Sequence, residues 1–211
     1  MSIWTRGWAL MCRAGVAFAL SGASMAAAAD VSELFQESYA LELSYAYDAA
    51  LRRIQDIPAD GPDAYLVALR RGWLLYLLGR YADSAEAYRA AAGVSPEAIE
   101  PWLGLTLPLM ALRDWTSAQE ACERVLERAP GTYLAMSRLA YIRYNTGKYT
   151  EAAVEYAKVI DHYPSDVEMR AGLGWSLLKQ GREAEARAAF EDVLRSSPDH
   201  VSAAEGLGML D

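Results

Sequence analysis

From residue 31 to residue 200 the chain repeats one pattern every 34 residues: two blocks with apolar side chains at helical spacing, divided by a short polar or glycine-bearing break. In one such stretch Met136, Leu139 and Ile142 mark the first block and Ala152, Tyr156, Val159 and Ile160 the second, with Asn145, Thr146, Gly147 and Lys148 between them. The spacing predicts a pair of antiparallel helices per period. Pro62, Pro96, Pro130, Pro164 and Pro198 recur at the same interval after the second block, where a residue without an amide hydrogen ends a helix. Gly79, Gly147 and Gly181 share one place after the first block, where glycine can take the left-handed conformation that closes a helix.

Counting each unit so that its proline is residue 32 gives units 31–64, 65–98, 99–132, 133–166 and 167–200 without an insertion. The eighth column is then Ser38, Gly72, Thr106, Ala140 and Gly174, and the twentieth Ala50, Ser84, Ala118, Ala152 and Ala186. Small residues at two fixed points let the paired helices approach closely. Ile54, Tyr88, Cys122, Tyr156 and Phe190 make the twenty-fourth column and fill the interior, with Ile57, Ala91, Val125, Val159 and Val193 in the twenty-seventh. The expectation is an all-α solenoid in which each unit buries its face against its neighbours. Residues 201–211 repeat the first-helix columns once more through Val201, Ala204, Leu207 and Gly208, which predicts a truncated capping helix. Its polar cover is only Ser202, Glu205 and Asp211, so this end is expected to dock on a partner or on a second copy.

These columns resemble the tetratricopeptide repeat family over essentially all of residues 31–200. The motif residues stand as Trp102 and Leu105, as Leu173 with Gly174, and as Tyr81 to Ser84 and Tyr149 to Ala152 at the turns inside the units. The first unit departs most: Glu37 stands where leucine is usual, Tyr45 replaces the turn glycine, and Pro58 comes early. It reads as an N-terminal cap or as a repeat with a shortened second helix. The resemblance implies about five helix-turn-helix repeats in a right-handed superhelix. It also implies a concave wall lined by the second, fifth, ninth, twelfth and thirteenth columns. On this chain those columns nominate Trp73, Tyr76, Leu107, Tyr141, Tyr144, Asn145, Trp175, Leu178 and Lys179 as partner-binding residues. Members that clamp a peptide carboxylate use Lys and Asn in the fifth and ninth columns. Leu69 and Trp73 hold those places here, which argues against such a clamp. Pro108 falls inside a first helix, where it should bend the helix or open a backbone bond.

Charge and composition narrow the partners. Residues 1–29 carry Arg6 and Arg13, no acid, an apolar run from Ala14 to Leu20, and Ala27 to Ala29 before Asp30, as a cleavable secretory signal does. A periplasmic domain over residues 30–211 is expected, with an uncleaved inner-membrane anchor as the alternative. Cleavage would leave 18 basic against 28 acidic residues, which disfavours nucleic acid and anionic membrane surfaces. Only Cys122 would remain, so no intramolecular disulfide can form. It reads as a buried interior residue. The two histidines, His162 and His200, have no metal-ligand or triad spacing and read as solvated loop residues. No catalytic, cofactor or metal motif is present in the sequence. The expectation is therefore a non-catalytic adaptor that takes a peptide segment or helix along an aromatic groove, in assembly of an envelope or secretion complex. Self-association and binding of an exported polysaccharide are the alternatives.

Overall fold

The computed structural model describes residues 22–210, so the signal read over residues 1–29 lies largely outside the described residues. Among those described there are eleven helices and no strand. The first helices of the units are α1 (Gly22–Leu43), α3 (Ala64–Leu77), α5 (Glu100–Ala111), α7 (Tyr133–Asn145) and α9 (Val167–Lys179). Their partners are α2 (Tyr47–Gln55), α4 (Tyr81–Val94), α6 (Trp115–Arg128), α8 (Tyr149–His162) and α10 (Glu183–Ser196), and α11 (Val201–Gly208) caps the end. Each helix packs on the next, and α3, α5, α7, α9 and α11 also touch in succession along one side.

Helix ends follow local chemistry. Asp114 and Asp166 accept the Ser117 and Met169 amides at 3.2 and 3.1 Å, capping α6 and α9. α2 stops at Gln55, ahead of Pro58, after only 9 residues where α4, α6, α8 and α10 have 14. The break between paired helices requires one left-handed residue. Gly79, Gly147 and Gly181 supply it with φ of 72°, 75° and 74°. Tyr45 and Arg113 hold the same place at 61° and 58°, so the repeat geometry imposes that conformation even where a Cβ opposes it. α5 runs on through the buried Pro108 to Ala111.

The close-approach columns are dry. Ala50, Ala118, Ala152 and Ala186 are fully buried, and the Ser84 hydroxyl donates to the Gly72 carbonyl of the facing helix at 2.7 Å. A second rule ties three columns together. Where the twenty-fourth column holds a ring (Tyr88, Tyr156, Phe190), the sixth residue of the next unit is glycine: Gly104, Gly172 and Gly206 each lie under that ring. The eighth column of the ring-bearing unit is then Gly72, Ala140 or Gly174. Where the twenty-fourth column holds Ile54 or Cys122, the next sixth residue is Arg70 or Arg138, and the eighth column offers a hydroxyl, Ser38 or Thr106. Arg70 Nε donates to Ser38 Oγ at 3.1 Å and Arg138 to Thr106 Oγ1 at 2.5 Å. A ring excludes the side chain, and a smaller residue leaves room for a buried guanidinium that staples adjacent units.

A candidate protein-binding groove

The ninth column faces along the row of first helices and is large in every unit: Tyr39, Trp73, Leu107, Tyr141, Trp175 and, in the cap, Met209. Tyr39, Tyr141 and Met209 are exposed at 38%, 47% and 65%, whereas Trp73, Leu107 and Trp175 are half-buried. The two tryptophans have spent their polar handles inside the chain. Trp73 Nε1 donates to Glu42 Oε1 at 2.8 Å, and Trp175 Nε1 donates to Ser202 Oγ of α11 at 2.8 Å. The Trp175 ring also stands edge-on to Phe190, centroids 5.5 Å apart.

The twelfth column is part of the packing at the turns. Tyr76 stacks on Trp73 at 5.9 Å and meets Tyr81 at 5.6 Å; Tyr144 meets Tyr149 edge-on at 5.4 Å. Burial pushes the Tyr144 phenol up. Tyr141 keeps nearly half its surface while its ring touches Trp115 at 6.3 Å. Asn145 turns back, its Nδ2 donating to the Tyr141 carbonyl at 2.8 Å at the end of α7. Leu178 packs on the last core cluster and Lys179 is exposed. The candidate residues therefore divide into two kinds, those that build the wall and those that offer free area, with Tyr141 the exposed aromatic among the latter.

Two of the acids on this wall, Glu42 and Glu100, are engaged within the chain, and a third, Glu168, is largely exposed. Glu42 takes Arg70 as well as Trp73, and the Arg70 guanidinium also lies 4.0 Å from the Tyr39 ring centre and donates to the Ser38 carbonyl at 2.9 Å. Glu100 accepts the Tyr65 hydroxyl at 2.5 Å; burial, and then that bond, push the Tyr65 phenol up. Glu168 faces His200 at 3.2 Å. The row from Trp73 through Leu107 to Tyr141 thus presents apolar and aromatic area, with the Trp73 indole already bonded to Glu42. Arg70 and Ser202 were missed by reading columns one at a time; the arginine recurring after a ringless unit was the available signal. One reading is corrected: His200 is no solvated loop residue, since its side chain is 8% exposed and caps α11. Cys122 is fully buried, as its column implies.

The repeat profile described as "Tetratricopeptide repeat" matches residues 39–99, 108–167, 143–201 and 171–210. The chain belongs to the tetratricopeptide repeat family. Among curated relatives it is 28% identical over 133 residues to Protein CTR9 homolog of Arabidopsis thaliana, and 31% identical over 138 residues to DnaJ homolog subfamily C member 3 of Rattus norvegicus. Those matches take in 63% and 65% of this chain but only 12% and 26% of the relatives, so the chain spans a small part of each. Solved structures of similar fold include a tetratricopeptide repeat protein from Parabacteroides merdae, at TM-score 0.77 and 17% identity over 86% of this chain and 72% of that one. MamA from Desulfovibrio magneticus superposes at TM-score 0.76 and 15% identity, over 81% and 97% of the two chains. YrrB, a repeat protein with an unusual peptide-binding site, gives 0.71 and 16% over 82% and 89%. A tetratricopeptide repeat chain of this build is a protein-interaction scaffold, and repeat scaffolds of the family are in general non-catalytic.

Proposed function

We propose that this scaffold is an exported, periplasmic adaptor that holds a peptide segment or short helix of an envelope protein along its ninth-column row. The observation that carries the reading is the ninth-column row from Trp73 through Leu107 to Tyr141, in which Tyr141 is exposed while the Trp73 indole and the Asn145 amide are already bonded. Aromatic rings of fixed orientation offer large contact area at low entropic cost, which is what an anchor for a docked peptide needs. The peptide-binding site of the structurally similar YrrB supports the same kind of occupant. The export address rests on residues 1–29. A sugar ligand would need acids or amides free beside the rings, and Glu42, which accepts the Trp73 indole, already serves Arg70 as well. The test is affinity capture from envelope extract with the exported chain, its amino terminus read by sequencing. Tyr141→Ala combined with Leu107→Ala is expected to abolish capture with the helical circular dichroism unchanged. Capture that survives the double change moves the site off this row; an amino terminus at Met1 sinks the cleaved-signal reading alone.

A further inference from the structure

His200 stands at the joint between α10 and α11, in the column that holds Thr132 and Asp166 at the two preceding joints. Asp166 caps α9 with a carboxylate; His200 caps α11 with Nδ1, which accepts the Ala203 amide at 3.1 Å. A ring nitrogen that accepts carries no proton, so this cap exists only in the neutral imidazole with its hydrogen on Nε2. Nε2 lies 3.2 Å from Glu168 Oε1 without the alignment of a hydrogen bond. Histidine is the side-chain type that changes charge between about pH 5 and pH 8.

We propose that α11 is a pH-gated lid on the C-terminal end of the aromatic row. Protonation places a hydrogen on Nδ1, removes the acceptor from the Ala203 amide, and sets a positive charge against the positive end of a helix. The opposing gain is an ion pair with Glu168, but that carboxylate is 73% exposed and solvent screens it. The other charges on the surrounding elements are committed elsewhere or lie outside the cap. Arg170 of α9 pairs with Asp192 of α10 at 3.0 Å, Arg195 pairs with the same carboxylate at 2.9 Å, and Arg187 donates to the Leu210 carbonyl at 2.6 Å. Asp199 precedes the imidazole and Glu205 is exposed on α11; no contact made by these groups supplies an acceptor to the Ala203 amide. With 8 residues α11 is too short to hold itself helical, so its cap and its seat decide whether it stays. The seat is the place where Gly206 lies against Phe190 and Ser202 holds the Trp175 indole. Loosening α11 frees both rings. The device stands on the capping geometry and is independent of what the groove binds.

Amide hydrogen exchange by NMR on the exported chain, corrected for intrinsic rates, tests it at pH 8 and pH 5. Protection of Ala203 to Gly206 is expected to fall roughly five- to tenfold relative to Phe190 and Val193 at the lower pH, with the Trp175 indole signal shifting in step. His200→Asp should keep α11 protected at both pH values. Nitrogen shifts of the His200 ring give a reading that needs no variant: Nδ1 must gain its proton in the interval where protection is lost. Unchanged or rising protection at pH 5, an equal loss in His200→Asp, or loss without protonation of Nδ1 overturns the proposal.

Discussion

The ring of Tyr88 occupies the space that a side chain on Gly104 would need: a Cβ there would meet Cζ at 2.6 Å and Cδ1 at 2.7 Å. Alanine is the better helix former, so Gly104→Ala in an open helix would stabilise by up to about 1 kcal/mol. Here the ring of a fully packed unit must move, and overpacking of this kind costs about 1–3 kcal/mol. Gly104→Ala is therefore expected to lower the urea midpoint, and Tyr88→Leu in the same chain to recover part of the loss. Gly93→Ala, with nothing within 4 Å of the added carbon, should shift the midpoint upward by about 0.5–1 kcal/mol in free energy. Equal effects at the two glycines would refute the ring-for-side-chain exchange.

The same relationship shows what the sequence discloses and what it hides. Helix pairs, turns and interior columns are legible because each is one residue type at one spacing, and the structure sets Ile54, Tyr88, Val125 and Phe190 in the core. The exchange between Tyr88 and Gly104, and between Cys122 and Arg138, is written in three columns of two units at once. Read singly, the eighth column is merely small, and its hydroxyls at Ser38 and Thr106 pass unnoticed. The aromatic row was legible by the same period, but the partners of its tryptophans, Glu42 and Ser202, lie 31 and 27 residues away and follow from no spacing rule. His200 was misread for a related reason: its column holds Asp166, and a capping role passes from carboxylate to imidazole without a change of place.

Tyr45 and Arg113 sit at φ 61° and 58°, in the left-handed region where a Cβ crowds the following carbonyl. That conformation costs a non-glycine residue about 1–2 kcal/mol. Glycine removes the crowding but gives the unfolded chain more freedom, so Arg113→Gly is expected to stabilise by about 0.5–1 kcal/mol in denaturant unfolding. Tyr45→Gly should gain less, since the Tyr45 ring stands edge-on to Tyr47 at 6.2 Å and that contact is lost. A destabilised Arg113→Gly would mean that the break between α5 and α6 is held by something other than backbone conformation.

Arg138 is buried, and burial pulls its guanidinium below the ordinary arginine value. Its Nη1 donates to the Leu103 carbonyl at 2.7 Å and to Thr106 Oγ1 at 2.5 Å, just before the position where Pro108 removes a helix donor. Thr106→Val keeps the shape and takes away the hydroxyl acceptor, which should cost about 1–3 kcal/mol. Adding Arg138→Met to that variant removes the buried charge as well, and replacing both partners by apolar groups is nearly neutral in such cases. The double variant should therefore melt closer to the wild type than Thr106→Val alone. If the two losses simply add, the staple between the third and fourth units is not a coupled pair.

Alkaline pH gives an independent measure of the same interior. Burial pushes the Cys122 thiol up to about 12, with the nearby Arg138 charge opposing the shift. Burial likewise pushes the Tyr88 and Tyr156 phenols well above their ordinary value. These groups stay protonated in the folded chain and ionise more readily once unfolded, so the unfolded state binds fewer protons and stability falls as pH rises. The contribution of Cys122 is complete below about pH 8.5, the ordinary thiol value, and is lost progressively as pH climbs toward about 12. Each such group should lower stability by at most about 1.4 kcal/mol per pH unit over its interval. Unfolding free energies measured from pH 7.5 to 10.5 should show this decline, and Cys122→Ala should flatten the part that begins near the thiol value. Native Cys122 should also resist a thiol reagent until the chain unfolds, because the reactive form is the thiolate and burial suppresses it. Rapid labelling of the folded chain at pH 8 would show that the interior between Tyr88 and Tyr156 is open, and with it that the units do not seal against one another.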